Sequence, residues 1–477
     1  MVAHLAGRLK LDGGRGPVYP TAALLLKWLH SINTLEAVPK IPYQDFFSDV
    51  VSSMPVEELL ADVRKWKAAS PAERADTFFL CKYAFLVSTE TKMALLRAEE
   101  EMEQRQAATA GGFRLVPGVG LVVHPFLVLQ VNRHNLLNET LLQVSQKSDR
   151  DLRKKLKVIF RGEEGVDEGG VAKEFFQLLT VQLFDQSFGM FVPAGEGGRS
   201  LWFNKDCVWA NDEYGLVGLL VGLAVYAGVI LDVPLPLVVF RKVLGQQLSL
   251  RDLADVDPGL LQGFQKLRDY DGGDEEDVFG IDFRVTWDDF GGKRSHDLKE
   301  GGENIPVTAE NKEEYVELYA KFLLVDSVRL QFEHFQHGFM RVMGGTSSVS
   351  LFRAEELEVL VTGTSELDFA ELAKATEYEG GFEANHPTVV AFWDTVFHMD
   401  PEEQKKLLMF VTGSMKAPLG GLGKLDFKIQ RAGPDTDHLP TAHTCFNLLM
   451  LPEYDSGEKL SRLVKLAITE CQGFGLR

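Results

Sequence analysis

The sequence predicts an α+β protein, and three observations predict it. At 477 residues the chain is long enough for about two or three domains. Apolar residues recur at helical spacing through its first part, as in Ala22–Ile32 and Val56–Trp66. Short apolar or β-branched runs, Leu156–Phe160, Lys424–Gln430 and Phe446–Leu451, read as strands set among further helices. An apolar content of 45% and a charged content of 25% are those of an ordinary globular protein. The 50 basic and 69 acidic residues give a net charge of −19 with no basic run. Nonspecific binding to nucleic acid or to an anionic membrane would be repulsive, so neither is expected as a partner.

Residues 1–119 read as a helical extension. Ser70-Pro71 opens a helical stretch in which Phe78, Phe79, Tyr83 and Phe85 look like core. Thr91–Gln106 is apolar early and then heavily charged, the pattern of a helix emerging into solvent, and Ala110-Gly111-Gly112 ends it. No repeat, cysteine-rich zinc cluster or substrate-recruiting module is visible here. The N-terminal stretch breaks up into Gly, Arg and Pro before any apolar run forms, so no secretory signal is expected.

Beyond the Leu156–Phe160 strand, Gly162–Gly170 reads as a turn and Val171–Phe184 as a helix. Asp167-Glu168-Gly169-Gly170 invites a metal or acid–base reading, but acidic residues at a glycine turn also favour the start of a helix. Gly215–Leu231 approaches the length of a membrane span. Its acidic flanks (Asp212, Glu213, Asp232), missing Lys/Arg anchors and following Pro234 and Pro236 predict a buried core helix instead.

Leu260, Phe264 and Leu267 share one helical face within Leu260–Tyr270, and Tyr315, Leu318, Tyr319 and Phe322 form a second stripe. Taken alone, both read as core packing. The acidic run Asp271–Asp277 between them lacks calcium-loop spacing. Thr362–Ser365 reads as a loop of small residues. Gly420–Lys424 resembles a phosphate loop only superficially, because Pro418 and Leu425 occupy positions that need glycine and a hydroxyl. His334 and His337 lack HExxH spacing and further ligands, so no metal and no cofactor is expected.

Four cysteines (Cys81, Cys207, Cys445, Cys471) are widely spaced without CxxC pairs, which fits free thiols in a reducing cytoplasmic or nuclear setting. Cys445 stands apart. It follows the small polar run Thr441, Ala442, His443, Thr444 and precedes the apolar strand, at the lip where a loop feeds the core. From the residues alone it is either a small core residue or an accessible thiolate nucleophile.

The segment LPTAHTCFNLLMLPEY (Leu439–Tyr454) resembles the active-site segment of HECT-domain ubiquitin ligases. The resemblance continues in FRGEEGVDEGGVAKEFFQLL (Phe160–Leu179), LWFN (Leu201–Asn204), GLAVYAGVILDVPLPLVVFRKVLG (Gly222–Gly245), HDLKE (His296–Glu300), LDFAELAKATEYEGGF (Leu367–Phe382) and APLGGLGKL (Ala417–Leu425). It runs in family order from about His124 to Arg477, roughly three-quarters of the chain, and is closest to the Angelman-syndrome ligase branch. The resemblance implies a bilobal HECT fold: a mainly helical N-lobe over 120–362, a hinge at Gly363, Thr364 and Ser365, and a smaller mixed C-lobe over 366–477.

It also implies that Cys445 accepts ubiquitin from a conjugating enzyme as a thioester and passes it to lysines of protein substrates. His443 and Thr444 would support the cysteine, and Phe474 would be needed for transfer to substrate. Leu260, Phe264, Leu267, Tyr270, Asp277, Tyr315 and Tyr319 would line the groove that grips the conjugating enzyme. Two departures from the family pattern stand out: Arg477 closes the chain where close relatives end on an apolar residue, and Ala442 replaces a common serine. Two rivals compete with the transferase. A thiol hydrolase needs a Cys–His pair with an orienting Asn or Asp, and His443 is poorly spaced for it. A binding scaffold needs only an inert Cys445.

Overall fold

The computed structural model describes residues 18–35, 40–110, 114–116, 120–122, 126–163, 170–207, 210–289, 292–444 and 446–474. Cys445, the pair Asp167-Glu168, the glycines Gly111-Gly112 and Arg477 lie outside them, and of Cys471 and Phe474 only the backbone is described. Among the described residues the elements that position the site are these. The extension contributes helices α1 (Val18–Leu35), α2 (Val56–Ala68) and α3 (Thr89–Ala110). A parallel pair follows, β1 (Phe126–Val131) and β2 (Lys155–Phe160), in register Leu127 with Leu156. Then come α4 (Gly170–Leu183), α5 (Asn211–Ala227), α6 (Pro258–Asp269), α7 (Lys312–Lys321), α8 (Arg329–Met343) and α9 (Ala354–Thr362).

From α3 to α9 these elements share one hydrophobic core, whose centre is the pair α5 and α8, while α1 and α2 pack in two smaller clusters of their own. Apolar on all sides, α5 is buried from Leu216 through Tyr226, as an apolar helix must be in water. No described helix is long and apolar enough to cross a membrane. The two backbones touch: a Cβ on Gly218 would sit 1.8 Å from the carbonyl oxygen of Phe335, and one on Gly338 1.8 Å from that of Gly215. Only glycine permits this approach.

A second core holds β3 (Glu377–Glu379), α10 (Pro387–Phe397), α11 (Pro401–Thr412), β4 (Lys428–Arg431), β5 (Thr441–His443), β6 (Leu448–Leu451) and α12 (Gly457–Phe474). The sheet order is β5-β6-β4-β3, antiparallel between β5 and β6 and parallel elsewhere. Ile429, Leu449 and Leu451 face the core from the two central strands. Proline at the first position starts both α10 and α11, and Asp400 with Glu403 closes a capping box on α11.

The extension corrects one expectation in part. Helix α3 does emerge at its charged end, where Glu101 and Arg105 are exposed, but Lys92, Glu99 and Glu100 are buried on it. Lys92 Nζ lies 2.8 Å from Glu356 of α9, with the two side chains 0% and 3% exposed. Glu99 accepts hydrogen bonds from Ser348 N at 2.8 Å and Ser348 Oγ at 2.7 Å. Arg97 donates to the Val225 carbonyl at the end of α5 (2.8 Å) and to Glu100 (2.7 Å). A charged helix face reads as solvated only until partners of opposite sign enclose it. Of the four aromatics expected as extension core, Phe79 and Tyr83 are buried while Phe78 and Phe85 are half-buried. A 3₁₀ turn, Leu80–Leu86, carries Tyr83 and Phe85 where a continuous helix was expected.

Candidate active site

Strand β5 lies at the sheet edge and turns back into β6, pairing Thr441 with Met450, Ala442 with Leu449 and His443 with Leu448. The sequence pattern hid β5, because three polar or small residues carry no apolar alternation. It also began the following strand too early, at Phe446; that ring is 44% exposed and belongs to the turn. Residues 444–447 form the connection, and Cys445 within it lies outside the described residues. Phe446 N donates to the His443 carbonyl at 3.0 Å. Asn447 has φ +47°, a left-handed conformation that asparagine tolerates better than most residues. Its carbonyl accepts from Lys428 N at 3.0 Å, and its amide Nδ2 donates to the Asp426 carbonyl at 3.2 Å. Both ends of this residue are therefore tied to the strand below.

From the first core, α4 reaches over the turn. Lys173 Nζ donates to the Thr444 carbonyl and to Asn447 Oδ1, each at 2.9 Å. One helical turn on, Gln177 Nε2 donates to the Gly413 carbonyl at 2.6 Å. On the opposite face of α4, Phe175, Phe176 and Leu179 are fully buried, so the helix is a rigid platform. Neither Lys173 nor Asn447 was singled out by the sequence reading. The available signal was a lysine in the first turn of α4, where the helix dipole disfavours a cation and an outside acceptor is wanted.

Other expected site residues fall as follows. His443 is exposed, and its ring makes no side-chain hydrogen bond among the described residues. Thr444 is half-buried and engages Lys173 through its carbonyl rather than its hydroxyl. Phe474 is the last residue of α12. Gly363 adopts φ +73° and ψ 175°, and a Cβ there would lie 2.8 Å from the Ala417 carbonyl oxygen. Thr364 and Ala417 exchange two backbone hydrogen bonds of 2.8 Å, while Ser365 is exposed. Beside this junction Lys416 approaches Asp232 at 3.7 Å. Burial and the nearby carboxylates of Asp255 and Glu355 push the Glu358 carboxyl up to about 7.

The seven groove candidates separate into two sets. Phe264, Leu267 and Tyr315 are buried, 4%, 2% and 5% exposed, so they cannot offer contact area as the chain stands. Phe264 instead packs edge-on against Tyr315 and Tyr319. Leu260, Tyr270 and Tyr319 are half-buried and Asp277 is exposed, leaving these four for contact. An apolar helix face looks the same in sequence whether it meets a partner or its own core.

The two other thiols among the described residues, Cys81 and Cys207, are unsuited to nucleophilic work. Burial and the adjacent Asp62 carboxylate push Cys81 up to about 12, and Cys207 is 2% exposed inside the first core. Among the described residues no group of three or more His, Cys, Asp or Glu could hold a metal.

The sequence profile of the HECT-domain (ubiquitin-transferase) family matches residues 177–477, which contain α4 from Gln177 onward, the part of the first core that follows it, the second core and the β5–β6 turn. The chain belongs to the HECT family. Curated HECT relatives agree with the assignment. The probable E3 ubiquitin-protein ligase HERC3 of Homo sapiens is 35% identical over 470 residues, covering 96% of this chain and 44% of that protein. The probable E3 ubiquitin-protein ligase HECTD2 of Mus musculus is 36% identical over 476 residues, covering 96% and 60%. The probable E3 ubiquitin-protein ligase mug30 of Schizosaccharomyces pombe is 33% identical over 485 residues, covering 96% and 58%. This chain thus spans about half the length of these relatives. Its α+β architecture, two cores with the mixed sheet in the second, is that of a HECT domain.

Proposed function

We propose that this chain is the catalytic part of a HECT-type ubiquitin-protein ligase. The observation that carries the reading is the match of residues 177–477 to the ubiquitin-transferase family, a span that includes Cys445 and the strands on either side of it. The Cys445 thiolate attacks the glycyl carbonyl of the thioester that joins ubiquitin to a conjugating enzyme. The new C–S bond forms as the old one breaks, and the conjugating enzyme leaves as a thiolate. Exchange of one thioester for another is close to thermoneutral, so the protein supplies orientation rather than driving force. A substrate lysine then attacks the same carbonyl; the C–N bond forms, the C–S bond breaks, and the amine gives up a proton. No cofactor enters either step.

Residues 120–362 act in this reading as the N-lobe that holds the conjugating enzyme, and 366–477 as the C-lobe that carries the cysteine. Gly363, Thr364 and Ser365 act as the hinge. The accessible contact for the conjugating enzyme is formed by Leu260, Tyr270, Asp277 and Tyr319, with Phe264, Leu267 and Tyr315 supporting them from beneath. His443 and Thr444 order the turn, and Phe474 acts in transfer to substrate. The partners are ubiquitin, a conjugating enzyme and protein substrates; the net charge of −19 argues against nucleic acid. A cytoplasmic or nuclear setting is supported by the free thiols of Cys81 and Cys207. Placement in the Angelman-syndrome ligase branch is part of the proposal; its support is the run of segments quoted from the sequence.

The test is incubation with activating enzyme, conjugating enzyme and ubiquitin. A thiol-labile ubiquitin adduct that disappears in Cys445→Ala, but persists in Cys207→Ala and Cys471→Ala, is the expected result. Cleavage of ubiquitin chains would favour a hydrolase, and neither outcome would favour a scaffold.

A further inference from the structure

We propose that Lys173 is a positioning residue for the second half of the reaction, an N-lobe cation that fixes the nucleophile turn only while the lobes are docked as in this structure. The inference rests on the transfer reading above and adds a residue and a step to it. Lys173 meets two acceptors that flank position 445 in sequence, the Thr444 carbonyl on one side and Asn447 Oδ1 on the other. Both are charge-assisted hydrogen bonds, the stronger kind.

Asn447 is the only non-glycine residue with positive φ among the described residues. Its bonds to Lys428 and Asp426 hold it from within its own lobe, and Lys173 completes the set from the other lobe. Gln177 holds the Gly413 carbonyl from the same helix, so α4 grips the second lobe at two points one turn apart. A Cβ built on Gly413 would reach both Gln177 and Thr444, so the two points are neighbours in space.

The side on which the turn is held decides the step. Among the described residues its interlobe hydrogen bonds go to α4, and none goes to α6 or α7, which carry the proposed contact for the conjugating enzyme. Accepting ubiquitin requires the turn to face that enzyme. Docking on α4 therefore belongs to the other half of the cycle, when the loaded thioester is attacked by an amine. Among the described residues Lys173 donates to Thr444 and Asn447, neither of which carries a reacting atom. It acts through the turn, and separation of the lobes withdraws it.

Single-turnover kinetics on the whole chain test this, with ubiquitin first loaded onto the protein and free lysine supplied as the acceptor amine. Lys173→Met is expected to slow discharge about tenfold, since a small misplacement of a reacting group is costly, while loading stays within about twofold. Lys173→Arg should recover most of the discharge rate. Asn447→Ala should slow discharge as well, and the double variant should be no slower than the slower single one. The proposal is overturned if Lys173→Met discharges at the wild-type rate, if it loses loading and discharge equally at an unchanged Tm, or if the double variant multiplies the two defects. Failure of the wild-type protein to load at all would instead sink the transfer reading.

Discussion

The two seams that join pieces of this molecule both rely on lysines, used in opposite ways. Where α3 meets α9, Lys92 and Glu356 are sealed from water, and Thr89 Oγ1 and the Arg353 amide donate to the same carboxylate at 2.6 and 2.9 Å. Where the two cores meet, Lys416 and Asp232 stand 3.7 Å apart with side chains 31% and 97% exposed, and Lys173 reaches half-buried acceptors. Breaking a buried pair strands a charge in a medium that cannot solvate it, whereas an exposed pair exchanges its partner for water at little cost. The first seam is permanent and the second releasable. The transfer cycle proposed above calls for both kinds.

The largest test of this contrast is Lys92→Met. Leaving Glu356 buried without its cation should cost about 3–5 kcal/mol in denaturant unfolding of the region that contains α3 and α9. An unchanged midpoint would mean that the extension is only loosely attached. Next comes Gly363→Ala. The conformation at φ +73° is essentially reserved for glycine, and the added methyl would press on Ala417, so about 1–3 kcal/mol of stability should be lost at the junction. Loss of stability together with slower interlobe transfer is expected; an alanine that leaves both untouched would remove Gly363 from the hinge.

A smaller effect distinguishes the seams by pH. Burial pushes the Glu100 carboxyl up to about 7, above its unfolded value. Its contribution to stability is therefore complete below the unfolded value, near 4.5, and is lost as pH rises through 7. Glu100→Gln should raise Tm at pH 8 and change it little at pH 5. An equal shift at both pH values would place the effect in packing rather than in charge.

Sequence made some of this legible and hid the rest for physical reasons. The all-round apolar run of α5 announces burial by itself, because no other environment suits it. The strand Leu448–Leu451 and the helix starting near Val171 were visible through apolar periodicity. What stayed hidden depended on partners distant in the chain. Glu99, in the charged part of its helix, reads as solvated until Ser348 is brought to it. Phe264 and Leu267 form a helical face whose destination, core or partner, periodicity does not encode. The strand Thr441–His443 is an edge made by pairing with Leu448–Met450, not by its own composition. Lys173 and Asn447 are 274 residues apart, and only the folded chain joins them.

The claim under all of this is that ubiquitin rides on one sulfur. It is tested most directly by peptide-level mass spectrometry of the protein quenched during a charging reaction without reducing agent. The account predicts one ubiquitin in thioester linkage at Cys445, released by thiol and absent from Cys445→Ala. Ubiquitin found on Cys471 or Cys81, or a charged mixture in which Cys445 remains a free thiol throughout, would contradict it.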